Sequence, residues 1–177
     1  MAERLLVKAL REHVGDRVDE LYRSHGAGTG SWHVGEPMNP PAAAEVRRRS
    51  GDPSGFRARH LTADLIDESD LILCATREHM SRVLQLRPDA RNRTFVLGEF
   101  GRLLAQVPVQ PAGPPRDPAA AHARGTALVA AVAAARTGPA QPSDDLDDPW
   151  GMGQHVFARV ADEIEATVIP LAAALAS

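Results

Sequence analysis

The sequence predicts an α/β domain built on a mostly parallel sheet. Two observations carry that reading. Asp70 to Ala75 holds a continuous apolar run, Leu71-Ile72-Leu73-Cys74-Ala75, of the length and character of a strand buried on both faces. Helix-period segments alternate with it and with a second strand candidate, Arg93 to Leu97, which is the βα alternation of a parallel sheet. The length of 177 residues suits one domain with a proper core.

Taken in order, the chain opens inside a helix, with Leu5, Leu6, Leu10 and Val14 at helical spacing and no upstream residue to cap it. Asp19 to His25 is predicted as a short strand that exits into Gly26-Ala27-Gly28-Thr29-Gly30. After a turn at Pro37 to Pro41, Ala42 to Arg49 reads as a helix stopped by Ser50-Gly51-Asp52-Pro53. Thr62 is the expected N-cap of a short helix, Ala63 to Glu68. A helix over Arg77 to Leu86 follows the apolar strand and ends at Arg87-Pro88. Gln106 to Pro118 is Pro-rich loop, and Ala119 to Arg136 an Ala-rich helix; together they mark 105–143 as an insertion within a single 1–177 domain. The last helix, Gln154 to Ala176, repeats Val156, Val160, Ile164 and Val168, and Pro170 is expected to kink or end it.

Composition excludes several classes. A net charge of −3 argues against nucleic acid or an anionic membrane as the main partner. The single cysteine, Cys74, rules out a disulfide framework or a cysteine zinc cluster. No apolar run reaches the roughly 20 residues of a membrane span, and the N-terminus lacks a signal-peptide pattern, so a cytoplasmic protein is expected. Lys8 is the only lysine, and the Arg/Ala bias reflects GC-rich codons.

Few motifs carry chemistry. Gly26 to Gly30 lacks dinucleotide spacing and a following Lys-Ser/Thr, and reads as a flexible strand-to-loop exit. The acidic turn Asp144-Asp145-Leu146-Asp147-Asp148-Pro149-Trp150-Gly151 lacks the Glu that closes a calcium loop. It leaves two roles open: a general acid held beside a rigid Pro and an aromatic wall, or an acidic cap of the final helix. The seven histidines show no metal-ligand spacing, so no metal is expected. Cys74, inside an apolar strand, reads as a small hydrophobe.

Five stretches together resemble the low-molecular-weight protein-tyrosine phosphatases, in their actinobacterial form. They are Ala27-Gly28-Thr29-Gly30-Ser31-Trp32, Gly35-Glu36-Pro37-Met38-Asn39-Pro40, Gly55 to Thr62, Ser69 to His79, and Asp147-Asp148-Pro149-Trp150-Gly151. The resemblance spans about Met1 to Leu104 and Asp144 onward. It implies a three-layer, flavodoxin-like fold with strand order 2-1-3-4, and hydrolysis of a phosphotyrosine protein or aryl phosphate without a cofactor. In that chemistry a thiolate attacks phosphorus and a phosphocysteine forms. Asp148 matches the general acid, Trp150 an aromatic wall of the cleft, and Trp32 another cleft-lining position. Thr76 stands where some members carry Asp.

Family members open on an apolar strand and a Cys-x5-Arg-Ser-Pro loop followed by residues such as Met-Ala-Glu. This chain opens Met1-Ala2-Glu3, so the resemblance implies that the central first strand, the nucleophile and the phosphate-clamping Arg are absent from it. Two readings follow. Met1 is a mis-assigned start of an active phosphatase, or the chain is a non-catalytic, phosphatase-derived interaction protein or truncated gene product. Arsenate reductase, on the same fold, needs further redox cysteines and is set aside.

Overall fold

A computed structural model describes residues 1–109 and 112–176; positions 110 and 111 of the Pro-rich segment lie outside the described residues. The helices are α1 (Ala2–Val14), α2 (Val18–Leu21), α3 (Pro40–Arg48), α4 (Ala63–Asp67), α5 (Arg77–Leu86), α6 (Leu97–Leu104), α7 (Pro118–Ala134) and α8 (Gln154–Ala176). Strands β1 (Ile72–Cys74) and β2 (Thr94–Val96) pair in parallel with Ile72 opposite Thr94 and Cys74 opposite Val96. The α/β class and the parallel pairing therefore hold. Two strands do not define the four-strand order, and among the described residues β1 has no strand on its other edge.

α8 is the axis of the core. Its row Val156, Val160, Ile164 and Val168 is buried against Leu5 of α1 and Ala42, Ala43 and Val46 of α3. Further along, Leu171 joins Phe95, Phe100 and Val132 in a second cluster shared with β2, α6 and α7. With aromatics at 4% of the chain, the close approach of backbones replaces large side chains as the means of filling space. Glycines show where. A Cβ on Gly101 would lie 2.6 Å from Thr167 Oγ1 of α8, and one on Gly98 would lie 2.7 Å from the carbonyl oxygen of Asp144.

One expectation needs correction, one is settled in part, and one helix was not anticipated. The strand expected over Asp19 to His25 does not form: α2 takes Val18–Leu21, and Tyr22 turns its hydroxyl to donate to the Leu175 carbonyl at 2.7 Å. A strand needs a neighbouring row of donors and acceptors, and the nearest regular pairing is a lone parallel bridge from Gly28 to His60. Pro170 does not end the final helix, which continues to Ala176. Both Pro170 and Ala166, whose carbonyl loses its helical donor, are exposed, so the missing bond falls on the solvent side of the helix, where it is least costly. Finally α6 is a helix that the sequence reading did not anticipate, because Gly98 and Gly101 weaken the local signal.

The remaining elements fall as expected, and their caps explain their starts. Thr62 accepts the Leu65 N–H at 3.3 Å to open α4, and Thr76 accepts the His79 N–H at 3.3 Å to open α5. An ionic knot centred on the buried Glu45 ties α3 to α8: Arg49 reaches Glu45, Asp162 and Glu165, and Gln154 also donates to Glu45. The segment carrying α7 is bound into the body as well. Arg136, just beyond α7, donates to the Thr94 carbonyl at 2.8 Å and to Glu99, and lies over the Phe95 ring at 4.1 Å.

Candidate functional site

The acidic turn lies at the carboxyl end of β1, where open parallel sheets place their sites. Its backbone is fixed there by the Leu146 N–H, which donates to the Ala75 carbonyl at 2.9 Å, while the Leu146 side chain packs on the α8 core. The neighbouring carboxylates are anchors. Asp144 is buried and takes Arg102 at 2.9 Å and the Gln141 N–H at 2.7 Å. Burial alone would raise its carboxyl, but these two donors outweigh it and hold the group below the usual carboxylate range. Asp145 accepts the first N–H of α5, from Arg77, at 2.7 Å and the Arg77 Nε at 3.0 Å, at the end of the helix that favours an anion. Asp147 pairs with Arg159 at 2.6 Å.

Asp148 differs from its neighbours. It is exposed, it is in no ion pair among the described residues, and its Oδ1 accepts the Trp150 N–H at 3.0 Å across Pro149. Four anchored residues thus deliver to the surface one carboxyl that is in no ion pair among the described residues. Among the described residues none of these carboxylates accepts an N–H from the first turn of α8, which begins at Gln154. Gly151, at φ 73°, turns the chain back where another residue would be strained.

Facing this turn is a second one, Ser31 to Glu36. It is backed by Ala58, whose carbonyl accepts the Gly35 N–H at 2.8 Å and whose N–H donates to the Glu36 carbonyl at 2.9 Å. Trp32 is 81% exposed and folds over Gly30, where an added Cβ would lie 2.1 Å from the ring. The glycine stretch is pinned as well: the Gly26 N–H donates to Glu3 at 2.6 Å, and Gly28 exchanges bonds with Arg59 and Leu61 at 2.8 Å each. Its glycines serve close approach in a held segment.

Trp150 is 59% exposed, and the ring in contact with it is His33, at 5.0 Å between centroids and a 40° tilt. The structure therefore brings Asp148 and Trp150 together in one turn and sets the Trp32 turn beside it through His33. His33 escaped the sequence reading. Its signals were its place next to Trp32 and the carboxylate of Glu36 at helical distance, 2.7 Å from its Nδ1.

Cys74 lies buried in β1, away from this rim. Burial, with Glu99 nearby, pushes its thiol up to about 12. Iodoacetamide at mildly alkaline pH is expected to leave the native protein unlabelled and to modify Cys74 only after denaturation. Rapid labelling of the native protein, followed by mass spectrometry, would contradict this placement. Thr76, besides capping α5, sits 2.8 Å from His79 Nδ1. Among the described residues no group of three His, Cys, Asp or Glu side chains could hold a metal ion, and no helix is long and apolar enough to cross a membrane.

Known proteins give the arrangement its context. The family model described as low molecular weight phosphotyrosine protein phosphatase matches residues 1–110. The low molecular weight protein-tyrosine phosphatase A of Mycobacterium tuberculosis is 35% identical over 91 residues, which cover 51% of this chain and 52% of that protein. The chain thus spans about half the length of the curated relatives it matches. Among solved structures, Vibrio vulnificus Wzb in complex with benzylphosphonate superposes with a TM-score of 0.63 at 20% identity, over 97% of this chain and 86% of Wzb. The Erwinia amylovora tyrosine phosphatase AmsI gives 0.64 at 20% identity, over 99% of this chain and 83% of AmsI. Those structures speak to the fold, and the family model, matching well over half of the residues, speaks to descent: the chain belongs to the low molecular weight phosphotyrosine protein phosphatase family.

Proposed function

We propose that the protein works in the hydrolysis of phosphotyrosine or a related aryl phosphate, with Asp148 as the general acid and Trp150 and Trp32 as aromatic walls for the substrate ring. The observation that carries the reading is the exposed Asp148 carboxyl, in no ion pair among the described residues, on an otherwise anchored turn. A thiolate attacks phosphorus and the P–O bond to the aryl group breaks, while the Asp148 proton passes to the departing oxygen. The resulting carboxylate then takes a proton from water as its oxygen attacks phosphorus and the thiolate leaves. The benzylphosphonate bound by Vibrio Wzb, a phenyl ring joined through a methylene to a phosphonate, is a ligand of the kind this reading requires. A cytoplasmic location belongs to the same proposal, as does the reading of 105–143 as an insertion in one 1–177 domain.

The thiolate is not Cys74. Its burial and raised pKa favour a second reading for the 177 residues acting alone, a non-catalytic interaction protein derived from a phosphatase. Turnover of p-nitrophenyl phosphate separates the two. The 177-residue chain is expected to show none. The same chain joined at Met1 to an apolar strand and a Cys-x5-Arg-Ser-Pro loop is expected to turn it over. Activity of the shorter chain that Cys74→Ser abolishes would overturn the assignment of the thiol. A loop-bearing protein that folds cooperatively yet stays inactive would leave the non-catalytic reading standing.

A further inference from the structure

The tip of the acid turn is poorly tied. Among the described residues, every hydrogen bond of residues 148–152 stays within the turn: the Trp150 N–H to Asp148 at 3.0 Å and the Met152 N–H to the Pro149 carbonyl at 3.0 Å. The anchors stop at Asp147 on one side and resume at Gln154, which donates to the Pro41 carbonyl and to Glu45, on the other. Between them the contact reaching out of the turn is the Trp150 ring against His33. His33 stands on firmer ground. Its own turn is bonded to Ala58 on both sides of Gly35, and its imidazole is held by Glu36 at 2.7 Å.

We propose that His33, steadied by Glu36, is the positioning residue of the acid turn. It holds the Trp150 ring, and through the Trp150 N–H it sets the orientation of the Asp148 carboxyl. The two turns share one aromatic contact, so the wall that receives the substrate ring and the group that protonates the leaving oxygen move together. A tilted ring pair adds a small, directional attraction to the area it covers. That is enough to choose one orientation of a loop tip that has no other hydrogen bond or ring contact beyond its own turn among the described residues, and too little to govern the stability of the whole domain. The functional half of the inference rests on the reading of Asp148 as the acid. The contact itself does not.

The test uses the 177-residue chain with Trp32→Phe, so that Trp150 is the sole tryptophan. In this background His33→Ala and His33→Gln are expected to lower the fluorescence anisotropy of Trp150. They should also raise its acrylamide quenching about twofold and speed exchange of its backbone amide about tenfold, at unchanged melting temperature. His33→Phe, which keeps a ring but not the Glu36 bond, should retain part of the restraint. Glu36→Gln should rescue what Glu36→Ala loses. Trp150 signals identical in His33→Ala and the parent would overturn the proposal whatever the phosphatase activity. A released Trp150 ring with an unchanged Trp150 amide would overturn its extension to Asp148. Failure of the Asp148 reading appears elsewhere, as turnover in the loop-bearing protein that is indifferent to Asp148→Asn.

Discussion

Asp148→Asn in the loop-bearing protein is expected to lower kcat for phenyl phosphate by roughly 10²–10⁴-fold, the usual contribution of a positioned general acid. The effect on p-nitrophenyl phosphate should be much smaller, because nitrophenolate departs readily without a proton. That difference between leaving groups separates loss of an acid from loss of a fold. The substitution is also structurally quiet. The amide oxygen of Asn can still accept the Trp150 N–H, and the exposed Asp148 has no ion pair to lose. Stability by chemical denaturation should therefore change by about 0.5 kcal/mol at most, as surface substitutions usually do. Equal losses for both substrates would point to a misplaced loop, and no loss for phenyl phosphate would remove Asp148 from the chemistry.

How much of this arrangement could be read beforehand differs from element to element, for physical reasons. The Ile72–Cys74 strand, the caps Thr62 and Thr76 and the long α8 are local signals: an apolar run, a hydroxyl before a helical period, a four-residue repeat. Asp148 was found by resemblance, since composition alone favours capping for its run. What distinguishes it from Asp144, Asp145 and Asp147 is the identity of their partners, Arg102, Arg77 and Arg159. Those arginines come from three separate helices and no spacing rule connects them. Tyr22 misled because β-propensity describes a side chain suited to a pleated surface. Here the hydroxyl finds a helix carbonyl instead. α6 stayed hidden because its glycines carry meaning only in three dimensions, as the points where Asp144 and Thr167 press against the helix.

The Pro/Ala-rich stretch had no visible purpose in the sequence, and Arg136 supplies one. Beyond α7 its guanidinium meets Glu99 with Nε at 2.9 Å, the Arg91 carbonyl at 3.1 Å and the Thr94 carbonyl at 2.8 Å. It covers β2 at its outer side, where an unpaired carbonyl would otherwise need water or another strand. Both partners of the ion pair are nearly sealed from solvent, with 10% of the Arg136 and 2% of the Glu99 side chain exposed. Removing one partner of such a pair leaves a buried, uncompensated charge and costs about 3–5 kcal/mol. Arg136→Ala should accordingly be among the most destabilising single changes in the molecule, lowering the midpoint of urea unfolding by the equivalent of that figure. The double variant Arg136→Met with Glu99→Gln decides the cause. Glutamine is neutral and can still accept the Val96 N–H that Glu99 receives at 3.2 Å, so most of the lost stability should return. Double-variant stability no better than that of Arg136→Ala would instead assign the loss to the Thr94 and Arg91 carbonyls and the Phe95 ring, making Arg136 a cover for the sheet edge before it is an ion-pair partner.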